Sequence, residues 1–430
     1  MAALDKSQYE EIAITSTDGS KSVDITVGVV MIDYYEDIFS PTITAKLRVV
    51  NEGFSITGED GKLQSVYNGL PLRGGEKVRI KIKPNCESNT GLDFSTKQES
   101  QLYVSKISNV VVNRNTESFI LHLVSREAIS NETSRVGRKY PTSLKISDSV
   151  KKIVKDYLKT TKKIKSEETQ NPYGFIGNMR KPFTLLMWLA SKGVPSKGKK
   201  DATAGYLFYE TKSGYTFKSL DGLISAKPFN EKYYYSELLD SQRSNDYKIL
   251  EYNTNYSEDV LGKLQKGAYA SQRIFFNPLT FDYTEQSRGK FGPKDYKGNT
   301  KTLGKDISLP GNLASAPSRN VTAVLDIGTM EKEVSKKPNA DPGKIQSQSM
   351  MRYNSIFSQS MSMTIPLNTN LEAGNIIECE FPMVSGFEGN DKDIEQSGLY
   401  MIKELCHHFD STGSYTSLTL IKDTFGPNKK

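Results

Sequence analysis

Imidazole is scarce in this 430-residue chain, which has only His122, His407 and His408. Acid–base or metal chemistry needs several such groups gathered in one place. His407 and His408 are neighbours on a segment that reads as a strand, so their side chains point to opposite faces and cannot share one ion. Cys406 and His408 fall on one face, with no third ligand clustered near them. The cysteines, Cys86, Cys379 and Cys406, are odd in number and widely spaced, so they make neither a disulfide framework nor a C-x-x-C metal or redox site. A reducing compartment during synthesis is expected.

Phosphate chemistry fares no better. In Gly298-Asn-Thr-Lys-Thr-Leu-Gly304-Lys305-Asp306, five residues separate the glycines where a P-loop has four, and Asp306 stands where a magnesium-binding Ser or Thr is required. There is no G-x-S-x-G elbow and no H-E-x-x-H helix. Adjacent carboxylates such as Glu36 and Asp37 are present, and spacing alone leaves a glycosidase open. No catalytic residue, cofactor or metal ligand is therefore assigned. What remains is surface for partners: tyrosine is dense at Tyr34 and Tyr35 and again at Tyr233, Tyr234 and Tyr235. Tyrosine suits interfaces, where one end is buried and the other wet. Core packing of alternate tyrosines fits these clusters equally well.

Bulk properties bound the partners. The formal charge of +7, from 57 basic and 50 acidic residues, is a mild excess, and no element interleaves basic with aromatic residues as a nucleic-acid site does. The lysines at 159–165 read as a solvated helix end and those at 197–200 as a solvated loop. Residues 1–11 lack the apolar core of a signal peptide. No run approaches the roughly 18 apolar residues of a membrane span. The expectation is a soluble protein made in the cytoplasm, leaving only within a larger particle.

The elements that must position these residues are mostly strands. Ile12 and Ile14 share a face before the turn Asp18-Gly19-Ser20, after which Val23, Ile25 and Val27 alternate, a hairpin signature. Ile43, Ala45, Leu47 and Val49 alternate, as do Val78, Ile80 and Ile82, and strands over 102–112 and 118–124 flank a polar turn. An antiparallel sheet or barrel over residues 1–140 is expected. Residues 141–245 read as an α+β insert. Its first helix is capped by Ser147 or Asp148 and buries Val150, Ile153, Val154, Tyr157 and Leu158. A second helix opens at Pro182 and stops at Gly193, and a hairpin joins 206–210 to 215–217. Strands resume at 269–281 and 361–366 within a second β-domain, residues 246–430. A polar excursion at about 286–348 interrupts it, and the alternation at 321–327 pins part of that excursion to a sheet.

The chain's end echoes its beginning. Leu72-Arg-Gly-Gly75-Glu-Lys-Val78 lies on Leu371-Glu-Ala-Gly374-Asn-Ile-Ile377, an offset of 374 − 75 = 299. Ser100-Gln-Leu102-Tyr103-Val104 lies on Ser397-Gly-Leu399-Tyr400-Met401, an offset of 399 − 102 = 297, and the same register brings Leu121 and Leu123 onto Leu418 and Leu420. Two blocks whose offsets differ by a loop-length change indicate a duplication.

One segment, Asp33-Tyr-Tyr-Glu-Asp-Ile-Phe-Ser-Pro41-Thr-Ile-Thr-Ala-Lys-Leu-Arg-Val49, resembles the first domain of baseplate hub proteins of contractile-tailed phages. Ser125-Arg-Glu-Ala128, the stretch from Pro182 into Phe217, and the closing Ser397-Gly-Leu-Tyr-Met-Ile and Leu418-Thr-Leu-Ile-Lys-Asp-Thr424 agree with it. The resemblance covers most of the chain outside 286–348. It implies a mainly β fold with an α+β insert, two similar antiparallel β-barrel domains of the tube type, and no catalysis. It further implies a homotrimeric, pseudo-sixfold ring that adapts a sixfold tail tube to a threefold central spike. The expected partners are the spike, the tube or its initiator and other baseplate proteins, with DNA passing through the lumen unspecifically. The expected place is the virion tail baseplate, assembled in the host cytoplasm. The hub of a phage-derived injection or secretion device and a cell-wall hydrolase are the alternatives.

Overall fold

Alternating apolar residues demand a sheet with one dry face, and much of this chain is built that way. In the computed structural model 44% of the described residues are strand and 19% helix, a mainly β protein. The structure describes residues 4–426 apart from 53–55, 58–60, 71, 88, 171, 197–202, 237–242, 257–258, 279–280, 284–288, 293–294, 296–301, 306–315, 325–341 and 384–391.

Fifteen strands join in one sheet. A first set runs, neighbour to neighbour, Ser22–Asp24, Tyr9–Thr15, Lys77–Ile82, Leu102–Val112, Thr116–Ser125, Thr44–Glu52 and Val29–Asp37. Ile12, Ile14, Ala45, Leu47, Val78, Ile80, Leu102, Val104, Leu121 and Leu123 line one core. Each buried Ile, Val or Leu among them stabilises the fold by about 1.5–3 kcal/mol relative to exposure.

A second set repeats the last five strands of that order as Ile376–Glu380, Gly398–Asp410, Ser414–Lys422, Gln359–Pro366 and Glu251–Tyr256. The short parallel strands Lys232–Tyr235 and Lys248–Ile249 extend it beyond Ile376–Glu380, so this set draws on chain before residue 246. Details of bonding repeat as well. Gly75 N–H donates to Val104 O at 2.7 Å and Gly374 N–H to Ile402 O at 2.8 Å; Val104 N–H donates to Glu76 O and Ile402 N–H to Asn375 O, both at 2.9 Å. Gly75 and Gly374 share the left-handed backbone that a side chain disfavours, with φ of 91° and 85°.

This pairing refines the repeat. Leu123 faces Val104 and Leu420 faces Ile402, an offset of 402 − 104 = 298 rather than 297. Leu102 therefore corresponds to the buried Tyr400, not to Leu399. A slip of one residue moves a side chain to the opposite face, and only the pairing discloses it. Asn109, at φ 52°, supplies a bulge that restores 297 at the tip of the first hairpin.

The two sets are not separate bodies. The long Gly398–Asp410 strand pairs Ser414–Lys422 along one edge and, along the other, Ile376–Glu380 and then Val29–Asp37 of the first set. The strands expected to make two separate barrels thus run into a single sheet, and no closed barrel is present among the described residues.

Between the sets lies a three-stranded sheet of Ile164–Ser166, Gly214–Ser219 and Tyr206–Thr211, covered by helices Ile146–Ile153 and Pro182–Ala190. The second helix and the hairpin stand where the sequence places them. The first starts at Ile146, with Lys145 at its N-cap and no side-chain cap. Ser147 sits in the first turn, its N–H on Thr169 Oγ1 at 3.0 Å. Nor does the 23–27 alternation continue as a strand. It breaks into a turn of 3₁₀-helix, Thr26–Gly28, because Thr26 Oγ1 accepts from Ile12 N–H at 2.8 Å, leaving Val27 fully exposed. Within the excursion, Arg319–Val324 pairs parallel with Ser271–Asn277, and the helix Pro342–Ser355 packs beside them; residues 325–327 of the expected alternation lie outside the described residues.

Candidate functional site

The side chains capable of chemistry converge where the two strand sets and the insert meet. Strand alternation sends Tyr34 and Glu36 inward and Tyr35 and Asp37 outward on Val29–Asp37. Glu36 is 1% exposed and accepts three hydrogen bonds, from Tyr34 Oη at 2.8 Å, Lys212 N–H at 2.6 Å and Ala373 N–H at 2.9 Å. Its partners come from the first set, the insert and the second set, so one carboxyl ties all three. Burial, and next the nearby Glu372, push its pKa up to about 7. Gly374 follows directly after this contact, and a Cβ there would collide with the Tyr209 hydroxyl.

A second buried cluster repeats the device. Lys162, with its side chain 8% exposed, bridges Glu127 Oε2 at 2.8 Å and Glu210 Oε1 at 2.6 Å. Glu210 also accepts from Ile43 N–H at 3.1 Å, so the insert hairpin is bonded into the first set. Burial raises the Glu210 pKa. A third cluster centres on Arg352, 1% exposed, which reaches Asp221 at 2.7 Å and Asp423 at 3.6 Å.

His407, His408 and Cys406 lie along the seam between Val29–Asp37 and Gly398–Asp410. His407 points inward, bonded to Thr416 Oγ1 at 2.9 Å and stacked on Tyr34, and burial lowers its pKa to about 3. His408 points outward, with Nδ1 2.5 Å from Asp33 and Nε2 3.1 Å from Asp410; the Asp33 hydrogen bond raises its pKa. Cys406 lies 3.9 Å from Asp33, and burial pushes its thiol up to about 12. A thiol held so high is protonated and a poor nucleophile. His122 is apart, on Ser108 Oγ at 2.8 Å. Among the described residues no group of three or more His, Cys, Asp or Glu could hold a metal ion.

Glu36 and Asp37 are not a catalytic pair: they face opposite ways, Glu36 is sealed, and Asp37 pairs with Lys403 at 3.1 Å. An open groove of about 280 Å³ above Asp37 is lined by Tyr35, Ser40, Thr44, Lys46 and Glu404. Lys403 bridges Asp37 to Glu404, itself 3.3 Å away.

The candidate interface tyrosines divide by face. Tyr34, Tyr233 and Tyr234 are 1%, 0% and 5% exposed and belong to the interior, so they cannot present an interface. Asn368 Nδ2 donates to Tyr233 Oη at 2.7 Å, and the Arg243 guanidinium covers the Tyr234 ring at 5.0 Å. Tyr35, under Lys46 at 5.3 Å, and Tyr235, against Tyr252 at 4.9 Å, are half-buried.

Sequence reasoning missed Lys162, taken for part of a solvated helix end, together with Glu127, Glu210, Lys212 and Arg352. One signal was available: Glu210 follows the apolar Tyr206-Leu-Phe-Tyr, and a charge in a run buried on both faces needs a buried partner. Of the phosphate-loop candidate, Gly298 and Asp306 lie outside the described residues. Gly304 packs against the carbonyls of Phe425 and Gly426, and Lys305 pairs with Glu395 at 2.7 Å. Residues 197–200 also lie outside. Among the described residues no helix is long and apolar enough to cross a membrane.

No protein-family model matches this chain, and no curated protein matches it. Solved structures do. The chain is similar to a tail protein from Neisseria meningitidis MC58, at 10% identity and a TM-score of 0.56 over 96% of both chains. It is also similar to the 43 kDa tail protein of prophage MuSo2 from Shewanella oneidensis, at 10% identity and a TM-score of 0.53 over 96% of this chain and 98% of that one. Identity so low makes this a likeness of fold, and the fold is one that tail proteins use.

Proposed function

We propose that this chain is a structural subunit of a phage tail baseplate, a hub that joins tail tube to central spike. The observation that carries the reading is the repeated strand order, two sets side by side in one chain, in a fold shared with tail proteins. Each set acts as one tube-type β unit. Three chains bring six such units into a pseudo-sixfold ring, which matches a sixfold tube on one face and a threefold spike on the other. Closing a ring also hides sheet edges that would otherwise invite aggregation.

The buried charges support a mechanical role. Glu36, Lys162 and Arg352 tie the insert to one or both strand sets, so that load on one part passes to the next. Such groups fix a geometry, since breaking one leaves an uncompensated charge in the interior. The hub works without catalysis or cofactor. Spike, tube and other baseplate proteins are its partners, DNA passes through the lumen without specific contact, and assembly takes place in the host cytoplasm before the chain becomes part of the virion. Native mass spectrometry across a concentration series is the test. A species of three chains is expected, whereas a monomer at every concentration, with spike protein present, contradicts the reading. Release of fragments from purified peptidoglycan would instead favour a hydrolase.

A further inference from the structure

The pairing that joins the two strand sets has an unfilled counterpart. Inside the chain, the outer edge of Gly398–Asp410 docks antiparallel on Val29–Asp37, with His408 opposite Asp33 and Asp410 opposite Met31. The equivalent of Gly398–Asp410 in the first set is Leu102–Val112. Beyond Tyr103, no described strand pairs with its corresponding edge. The equivalent of Val29–Asp37 in the second set is Glu251–Tyr256, which pairs only with Gln359–Pro366 among the described strands. One edge of each kind is joined within the chain, and among the described strands one of each kind is left open.

The open hairpin edge is apolar where a solvated one would carry charge. Val110, Val111 and Val112 are 40%, 52% and 69% exposed. An exposed apolar edge strand is a template for another strand.

We propose that the 108–113 edge of one chain adds, antiparallel, to the 251–256 edge of the next copy, repeating between chains the junction found within each. This rests on the ring reading above and names the seam that closes it. Head-to-tail pairing of unlike edges is the kind of contact that closes into rings. The register is fixed by equivalence. Val111 and His408 face Ser118 and Tyr415, an offset of 415 − 118 = 297. Asp33 and Asn253 face Lys46 and Ser362, which in turn face His122 and Thr419, an offset of 419 − 122 = 297. Val111 therefore lies opposite Asn253 of the next copy. By the same reasoning Asn113 lies opposite Glu251, since Asn113 N–H donates to Thr116 O as Asp410 N–H does to Gly413 O.

Opposed residues in antiparallel strands have Cα atoms about 4.5–5.5 Å apart, within the roughly 4.4–6.8 Å a disulfide spans. The test is mild oxidation of full-length Val111→Cys/Asn253→Cys and, separately, Asn113→Cys/Glu251→Cys, run on non-reducing gels with the four single variants and the unsubstituted chain as controls. All four positions are exposed, and melting curves under reducing conditions check that each variant folds. Either pair should give species of two and three linked chains, lost on reduction and absent from the controls. If mass spectrometry finds three chains and neither pair links, the seam is wrong and the ring stands. If the chain is a monomer at every concentration and neither pair links, both fall.

Discussion

Glu36 is the residue on which the junction turns. Its folded pKa, about 7, stands above the ordinary glutamate value of 4.5. The stability linked to this shift is fully present below pH 4.5 and is lost as pH rises through 7, on the order of 3 kcal/mol in all. Glu36→Gln keeps the volume but turns an amide donor toward a backbone N–H, which costs about 1–3 kcal/mol. Denaturant melts should show the larger deficit at pH 5 and a smaller one at pH 7.5; equal deficits at both would remove Glu36 from this role. His408 carries the same sign for a different reason. Its pKa is raised chiefly by the hydrogen bond it donates to Asp33, so its contribution holds below the usual imidazole range and fades as pH rises through the folded value. Tyr9, Tyr35, Cys406, Asp410 and Tyr415 surround the pair, with Lys46 across the strand from Asp33. An NMR titration should place His408 above 6.5 in the native chain and lower in Asp33→Asn. The opposite faces of His407 and His408 were legible from adjacency on a strand. The inward turn of Tyr34 was not, because alternation says that neighbours separate without saying which of them enters the core.

At the scale of elements, the insert is held to the first set by Lys162. Lys162→Ala leaves Glu127 and Glu210 buried without their cation and should cost about 3–5 kcal/mol. Lys305→Ala, removing an exposed pair with Glu395, should cost less than about 1 kcal/mol. Equal costs in urea melts would show the triad to be incidental. Strands were read well wherever one face is dry, as at Ala45, Leu47 and Val49. The Pro182–Ala190 helix was legible from its proline and its apolar run. Errors fell where a local bond overrides the period. Thr26 ends a strand by bonding Ile12, and the bulge at Asn109 shifts the register of the repeat by one residue. The triad was illegible for another reason: Glu127, Lys162 and Glu210 are far apart in sequence, and nothing local marks a lysine among lysines as the buried one.

For the molecule as a whole, the duplication was visible in the sequence as two blocks with nearly equal offsets, and the structure gives it matching hydrogen bonds. The merging of both sets into one sheet was not visible, since no residue pattern announces which strand edges meet. That merging matters most to the proposed function, in which a chain holding two units edge to edge supplies a third of the ring. Imaging the purified chain by electron microscopy tests this most directly. The account predicts a hollow ring of six lobes with threefold symmetry, the inserts marking every second lobe; isolated two-lobed particles, or pairs related by a twofold axis, would contradict it.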